Sequence, residues 1–126
     1  MIGATLGTQG WIALRLREFE QVRQLLGESL VVRQEIGEKG GIAWCLEKLA
    51  ELVALQGEPE KAACILGKAA SLRLSINSQV NSADRPDHER LLCSLHERIE
   101  PEIFQSAWEA GAAMPLDATI NLALET

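Results

Sequence analysis

Apolar residues recur at three-to-four spacing along most of the chain. Phe19, Val22, Leu25/Leu26, Ser29/Leu30, Arg33 and Ile36 mark one stripe, Ile42, Cys45/Leu46, Leu49 and Val53 a second, and Ala62, Ile65/Leu66, Ala69, Leu72 and Ile76 a third. Such spacing places the apolar side chains on one face of an amphipathic α-helix. Helix breakers punctuate the stripes: Gly37 closes one, Gly57 closes the next with Pro59 opening its successor, and Asn77 ends the last. Glycine and asparagine tolerate the left-handed backbone of a helix end, and proline suits a first turn. The pattern predicts helices at about 4–16, 19–36, 39–56 and 59–76.

Residues 77–85, Asn-Ser-Gln-Val-Asn-Ser-Ala-Asp-Arg, are polar and aperiodic and read as a linker. Beyond it Pro86, Pro101 and Pro115 each stand in the first turn of an apolar-periodic stretch, where the missing N–H costs nothing. Three shorter helices are predicted at about 86–98, 101–112 and 115–125. Leu91, Leu92 and Leu95 face inward on the first, Ile103, Phe104, Ala107 and Trp108 on the second, and Leu116, Ile120, Leu122 and Leu124 mark the third.

Sliding the chain against itself by forty positions pairs residues 6–37 with 46–77. Seven identities result: Leu6/Leu46, Glu18/Glu58, Glu20/Glu60, Leu26/Leu66, Gly27/Gly67, Arg33/Arg73 and Ile36/Ile76. About two would arise by chance, and a period of this length points to a helical solenoid of paired helices. The expected organisation is therefore two repeats over residues 1–76, a polar linker over 77–85 and a C-terminal helical cap over 86–126, the whole an all-α right-handed array.

Composition and charge narrow the function. The chain has 126 residues, with aromatics at 4% and no tyrosine, which favours helix over sheet. Residues 1–37 carry four Arg against four Glu, residues 38–76 five basic against five acidic, and residues 77–126 three Arg against nine Asp and Glu, so the net charge of −6 lies in the last third. Without a basic stripe, direct contact with nucleic acid is not expected. The N-terminus lacks the basic-then-apolar pattern of a signal peptide and no apolar run is long enough to span a membrane, so a cytoplasmic location is expected. Cys45, Cys64 and Cys93 form no close pair and read as reduced, mostly buried thiols.

Gly10-Trp-Ile-Ala-Leu-Arg-Leu-Arg-Glu-Phe-Glu-Gln-Val-Arg-Gln-Leu-Leu-Gly-Glu-Ser-Leu and Leu49-Ala-Glu-Leu-Val-Ala-Leu-Gln-Gly-Glu-Pro-Glu-Lys-Ala resemble tetratricopeptide repeats of the forty-residue kind. The repeat's small residues fall at Gly10, Ala50 and Ala62, its turn glycine at Gly57, and the larger apolar position at Leu26 and Leu66. Arg17 replaces the usual turn glycine in the first repeat, and Gln9, Val22 and Pro59 also depart from the pattern. The tail, Ala83-Asp-Arg-Pro-Asp-His-Glu-Arg, then Phe104-Gln-Ser-Ala-Trp-Glu-Ala-Gly-Ala-Ala-Met and Ile120-Asn-Leu-Ala-Leu, is similar to the C-terminal ending of bacterial LuxR-type transcription factors and related signal-transduction ATPases. The resemblance implies a segment that follows an ATPase core in a larger regulator.

No catalytic constellation is evident. Gly67-Lys68-Ala69 lacks the upstream glycine and the Ser/Thr of a phosphate loop, and the glycines at 3, 7 and 10 have no lysine after them. His88 and His96 lie eight residues apart on one predicted helix, a rise of about 12 Å, too far to share a metal. Neither an enzyme activity, a metal nor a cofactor is expected. The resemblance places the concave, partner-facing positions at Trp11, Leu14 and Arg15 in the first repeat and Trp44, Glu47 and Glu51 in the second. Arg33 and Arg73, at equivalent positions, read as a repeated structural ion pair. The expected function is a non-catalytic protein-interaction or ligand-sensing segment of a multidomain bacterial transcriptional or signalling regulator. Its partner would be a protein or peptide, or the regulator's own ATPase or output domains. The alternative is a stand-alone adaptor that binds a peptide or forms a homodimer.

Overall fold

The computed structural model describes residues 4–124, with side chains described from Phe19 onward. Six α-helices occur among the described residues: α1 Ala4–Ile36, α2 Lys39–Leu55, α3 Pro59–Ser75, α4 Arg85–Arg98, α5 Pro101–Ala113 and α6 Leu116–Leu124. No strand occurs among them. The protein is all-α.

Helix ends fall where the punctuation places them. Gly37, Gly57 and Asn77 have φ of 71°, 88° and 54°, and they follow one another at intervals of twenty residues. Each sits in the same hydrogen-bonded loop: Glu38 N–H donates to the Arg33 carbonyl at 2.9 Å, Glu58 N–H to Val53 at 3.2 Å and Ser78 N–H to Arg73 at 2.8 Å. This six-residue closure satisfies carbonyls that a helix end would otherwise leave orphaned.

The first predicted hairpin is absent. Residues 4–16 and 19–36 form one uninterrupted helix of 33 residues, α1. The physical reason is local: Leu14-Arg15-Leu16-Arg17-Glu18 is a run of strong helix formers. Arg17 stands where the second repeat has Gly57, so nothing favours the left-handed turn.

Packing proceeds from neighbour to neighbour, α1 on α2, α2 on α3 and α3 on α5. The α2 helix is central, with Ile42, Cys45, Leu46, Leu49, Ala50 and Val53 all buried. Leu30, Leu46, Leu49, Ile65, Leu66 and Leu95 are among the largest fully enclosed side chains, each contributing about 1.5–3 kcal/mol on burial. α4 and α6 close over this layer. Leu91 and Leu95 of α4 and Ile120 and Ala123 of α6 are buried against the same core, and Arg98 donates to the Ala54 carbonyl at 2.9 Å, satisfying the last turn of α2.

The α3–α5 crossing is unusually close. A Cβ at Gly67 would collide with the Trp108 carbonyl, and one at Gly111 with the Cys64 carbonyl. Each helix thus offers a glycine to the other's backbone. Ile103, expected to face inward, is instead 40% exposed, because the next residue, Phe104, about 100° further round the helix, takes the core-facing position. Cys93 is also exposed, while Cys45 and Cys64 are buried, and all three are free thiols. The α1 stripe divides: Leu26 and Leu30 are buried, whereas Val22, Leu25 and Ile36 are exposed.

Candidate interaction site

The C-terminal ends of α1 and α3 flank the N-terminus of α2, and equivalent arginines stand on both sides. Arg33 pairs with Glu38, five residues on, and its Nε donates to Ser29 Oγ at 2.9 Å. Arg73 donates through Nη1 to Ser78 Oγ at 3.2 Å, again five residues on, and to the Gln79 carbonyl at 3.0 Å. Each arginine therefore staples its own helix-end loop. Arg73 alone also reaches a buried partner, Glu47 of α2, through Nε at 2.6 Å and Nη2 at 2.8 Å. The Glu47 hydrogen bonds hold the Arg73 guanidinium above its ordinary value, against the opposing effect of burial.

One turn toward the N-terminus of α2 from Glu47, Trp44 is half-buried and its Nε1 donates to Asp84 Oδ2 at 3.1 Å. Lys48 Nζ lies 5.8 Å from the Trp44 ring centroid, and it pairs with Asp84 at 3.3 Å and with Glu51 at 3.4 Å. Burial works against the Lys48 charge, but Glu51 and Asp84 outweigh it and hold its pKa above the ordinary lysine value. Burial also pushes the Asp84 carboxyl up. The hydrogen bond and charge of Lys48, with the indole N–H of Trp44, more than offset that and hold it below the usual carboxylate range.

An open depression of about 380 Å³ lies between the two arginines. Arg33, Trp44 and Arg73 line it together with the backbone of Gly40 and Gly41 and the linker residues Ser78 and Asn81. Its charges are internally balanced, so it suits a polar or amphipathic segment more than a bare anion. Arg33 is its more exposed cation, with 32% of the side chain accessible.

Of the six sequence-predicted positions, Trp11, Leu14 and Arg15 have side chains outside the described residues. Trp44, Glu47 and Glu51 share one face of α2, where Asp84, Arg73 and Lys48 respectively engage them. Trp44 borders the depression, Glu47 is 6% exposed, and Glu51 lies on a second shallow groove between α2 and α4. Sequence reasoning missed Asp84, Gly40 and Gly41. The Gly-Gly pair at a helix start was the available signal, since a helix face with two missing side chains leaves room for a neighbour.

His96 packs on Phe104, with ring centroids 4.2 Å apart, and Phe104 stacks on Trp108 at 5.6 Å. Burial raises the Cys64 thiol pKa. Among the described residues no cluster of three His, Cys, Asp or Glu is placed to hold a metal, and no helix is long and apolar enough to cross a membrane. No family model matches the chain, and neither does a curated protein or a solved structure.

Proposed function

We propose that the chain is a non-catalytic protein-interaction and ligand-sensing segment of a multidomain bacterial regulator, built as a tetratricopeptide-like helical array and working in the cytoplasm. The observation that carries this reading is the twenty-residue spacing of the loops at Gly37, Gly57 and Asn77, each closed by the same hydrogen bond. Evenly spaced helix ends, with α1, α2 and α3 each packed on the next, are what a stacked repeat requires. Repeats of this kind recognise partners by the shape of a groove. The depression beside Trp44 and Arg33 is the groove this reading assigns to the partner, a protein or peptide segment or the regulator's own ATPase or output domain.

In this mechanism the linker is the responsive part. Asp84 ties it to Trp44 and Lys48, and Ser78 and Gln79 tie it to Arg73. A partner that displaces Asp84 from Trp44 loosens the connection between α3 and α4, and binding unequally to the two arrangements shifts their populations.

The test has two parts. The reading frame upstream of Met1 should continue into a segment with a phosphate loop, and that segment, made separately, should bind this chain by titration calorimetry. Arg33→Ala with Trp44→Ala should weaken binding at least about tenfold, or ~1.4 kcal/mol, with helical circular dichroism retained. No such upstream segment, or a double variant that binds as tightly as the parent, contradicts the reading.

A further inference from the structure

Val22, Leu25, Val32 and Ile36 of α1 are 40%, 65%, 55% and 68% exposed. With Ser29 between them, half-buried and accepting from Cys45 Sγ of α2 at 3.5 Å, they repeat at alternating spacings of three and four, which aligns the four exposed side chains along one edge of the helix. Their forty-residue equivalents on α3 are Ala62, Ile65, Leu72 and Ile76, with Ala69 matching Ser29. There Ala62 and Ile65 are fully buried and Ala69 is 1% exposed. That face lies roughly opposite the Cys64 and Gly67 side that meets α5, inside the hairpin that α3 makes with α2. On α3 the stripe is covered from Ala62 through Ala69, with Leu72 half-buried and Ile76 38% exposed at its end, whereas all four apolar positions on α1 are exposed.

The internal duplication also says what should cover it. The counterpart of α2 in the first repeat is the segment 4–16, where Leu6 matches the buried Leu46, Gly10 matches Ala50, Ile12 matches Leu52 and Ala13 matches Val53. Yet α1 is continuous from Ala4 to Ile36. An uninterrupted helix advances about 1.5 Å per residue, so its first half never returns onto its second. Charge points the same way: residues 4–17 contain Arg15 and Arg17 and no acidic residue, whereas residues 18–36 contain four Glu and two Arg.

We infer that the Val22, Leu25, Val32 and Ile36 stripe is covered by residues 4–16 of a second copy of this chain. The two copies thereby exchange the N-terminal halves of α1 in an antiparallel, two-fold dimer. Such an exchange reproduces between molecules the α2–α3 contact that the second repeat makes within one. The hinge is Arg17, which holds the helix straight where Gly57, at φ 88°, lets the second repeat turn. None of the four stripe residues lines the Trp44 depression, and the inference does not rest on the function proposed for it.

Sedimentation equilibrium of the full chain should give twice the 13.8 kDa monomer mass. Arg17→Gly, which supplies the missing turn residue, should shift the protein to monomer while keeping its helical signal, because each N-terminal half then folds back onto its own chain. Leu25→Asp with Val32→Asp should abolish the dimer, since neither side chain enters the monomer's core. A parent chain that is monomeric at every concentration overturns the proposal. So does a dimer that survives the Leu25/Val32 variant, and so does one that Arg17→Gly leaves intact, which would be side-by-side packing without exchange.

Discussion

Arg73 and Glu47, twenty-six residues apart in the chain, form a two-pronged ion pair that joins α3 to α2, with N···O distances of 2.6 and 2.8 Å. The side chains are only 9% and 8% exposed, so removing one partner strands a charge in the core. Arg73→Ala or Glu47→Ala should therefore lower unfolding free energy by about 3–5 kcal/mol, whereas the joint replacement Arg73→Met with Glu47→Leu should recover most of that loss. Urea titrations of the three proteins compare these values directly. A double-variant loss equal to the sum of the two single losses would show that the pair is not coupled.

The α3–α5 crossing gives a second expectation. Gly67→Ala and Gly111→Ala each drive a methyl into main-chain atoms of the opposite helix, which cannot rotate away, and should destabilise by about 1–3 kcal/mol. Gly40→Ala is the control. Its new methyl meets only Ile76 Cδ1, at 3.7 Å, and the gain in helix propensity is at most about 1 kcal/mol. Thermal melts should place Gly40→Ala at or above the parent and the other two well below it.

The helix-end loops can be tested without disturbing packing. At Gly37 and Gly57 a methyl group would project into open space, with no packing neighbour within 4 Å, so alanine there changes only backbone strain. Each substitution should cost about 1–2 kcal/mol, the penalty for a left-handed L-residue. Asn77→Gly should be neutral or slightly stabilising, since Asn77 already holds φ 54°. A large loss from Asn77→Gly would mean that its side chain, and not its backbone, matters.

Asp84 supplies a pH dependence. Its carboxyl is held below its ordinary value of 3.8 by Lys48 and the Trp44 N–H, so the folded state favours the carboxylate. Stability from this group is therefore fully present above that value and is lost as pH falls through the lower, folded-state pKa. The Trp44 indole N–H resonance, followed by NMR on acidification, should keep its hydrogen-bonded shift through about pH 4 and move only below it. Asp84→Asn should remove the acid transition. On the alkaline side Lys48, held above 10.5, contributes stability below that value that is lost as pH rises through its folded-state pKa.

Much of this architecture is legible in the chain because local chemistry and tertiary packing agree. Gly37, Gly57 and Asn77 end helices in the structure as in the sequence, and Pro59, Pro86 and Pro101 lie in the first turns of α3, α4 and α5. The break expected between residues 16 and 19 depends on analogy with the second repeat, and the residue that departs from the analogy, Arg17, is where the helix runs on. The candidate site is only partly readable. Trp44 and Glu47 are visible as one helix face, but their partners Asp84 and Arg73 lie 40 and 26 residues away. Such pairings follow from how helices pack, which periodicity does not encode. The exposure of Val22 and Leu25 beside the burial of Leu26 and Leu30 is equally hidden, since one apolar stripe does not say which of its edges finds a neighbour.

One helix pair, α2 with α3, closes by the duplicated loop pattern and forms the stable centre on which the other helices dock. Residue-resolved amide hydrogen exchange tests this most directly, because exchange in the slowest amides reports global unfolding. The slowest amides are expected within Lys39–Leu55 and Pro59–Ser75, interrupted by rapid exchange around Gly57. Rapid exchange throughout those two helices, with the slowest amides in α4 to α6 instead, would contradict it.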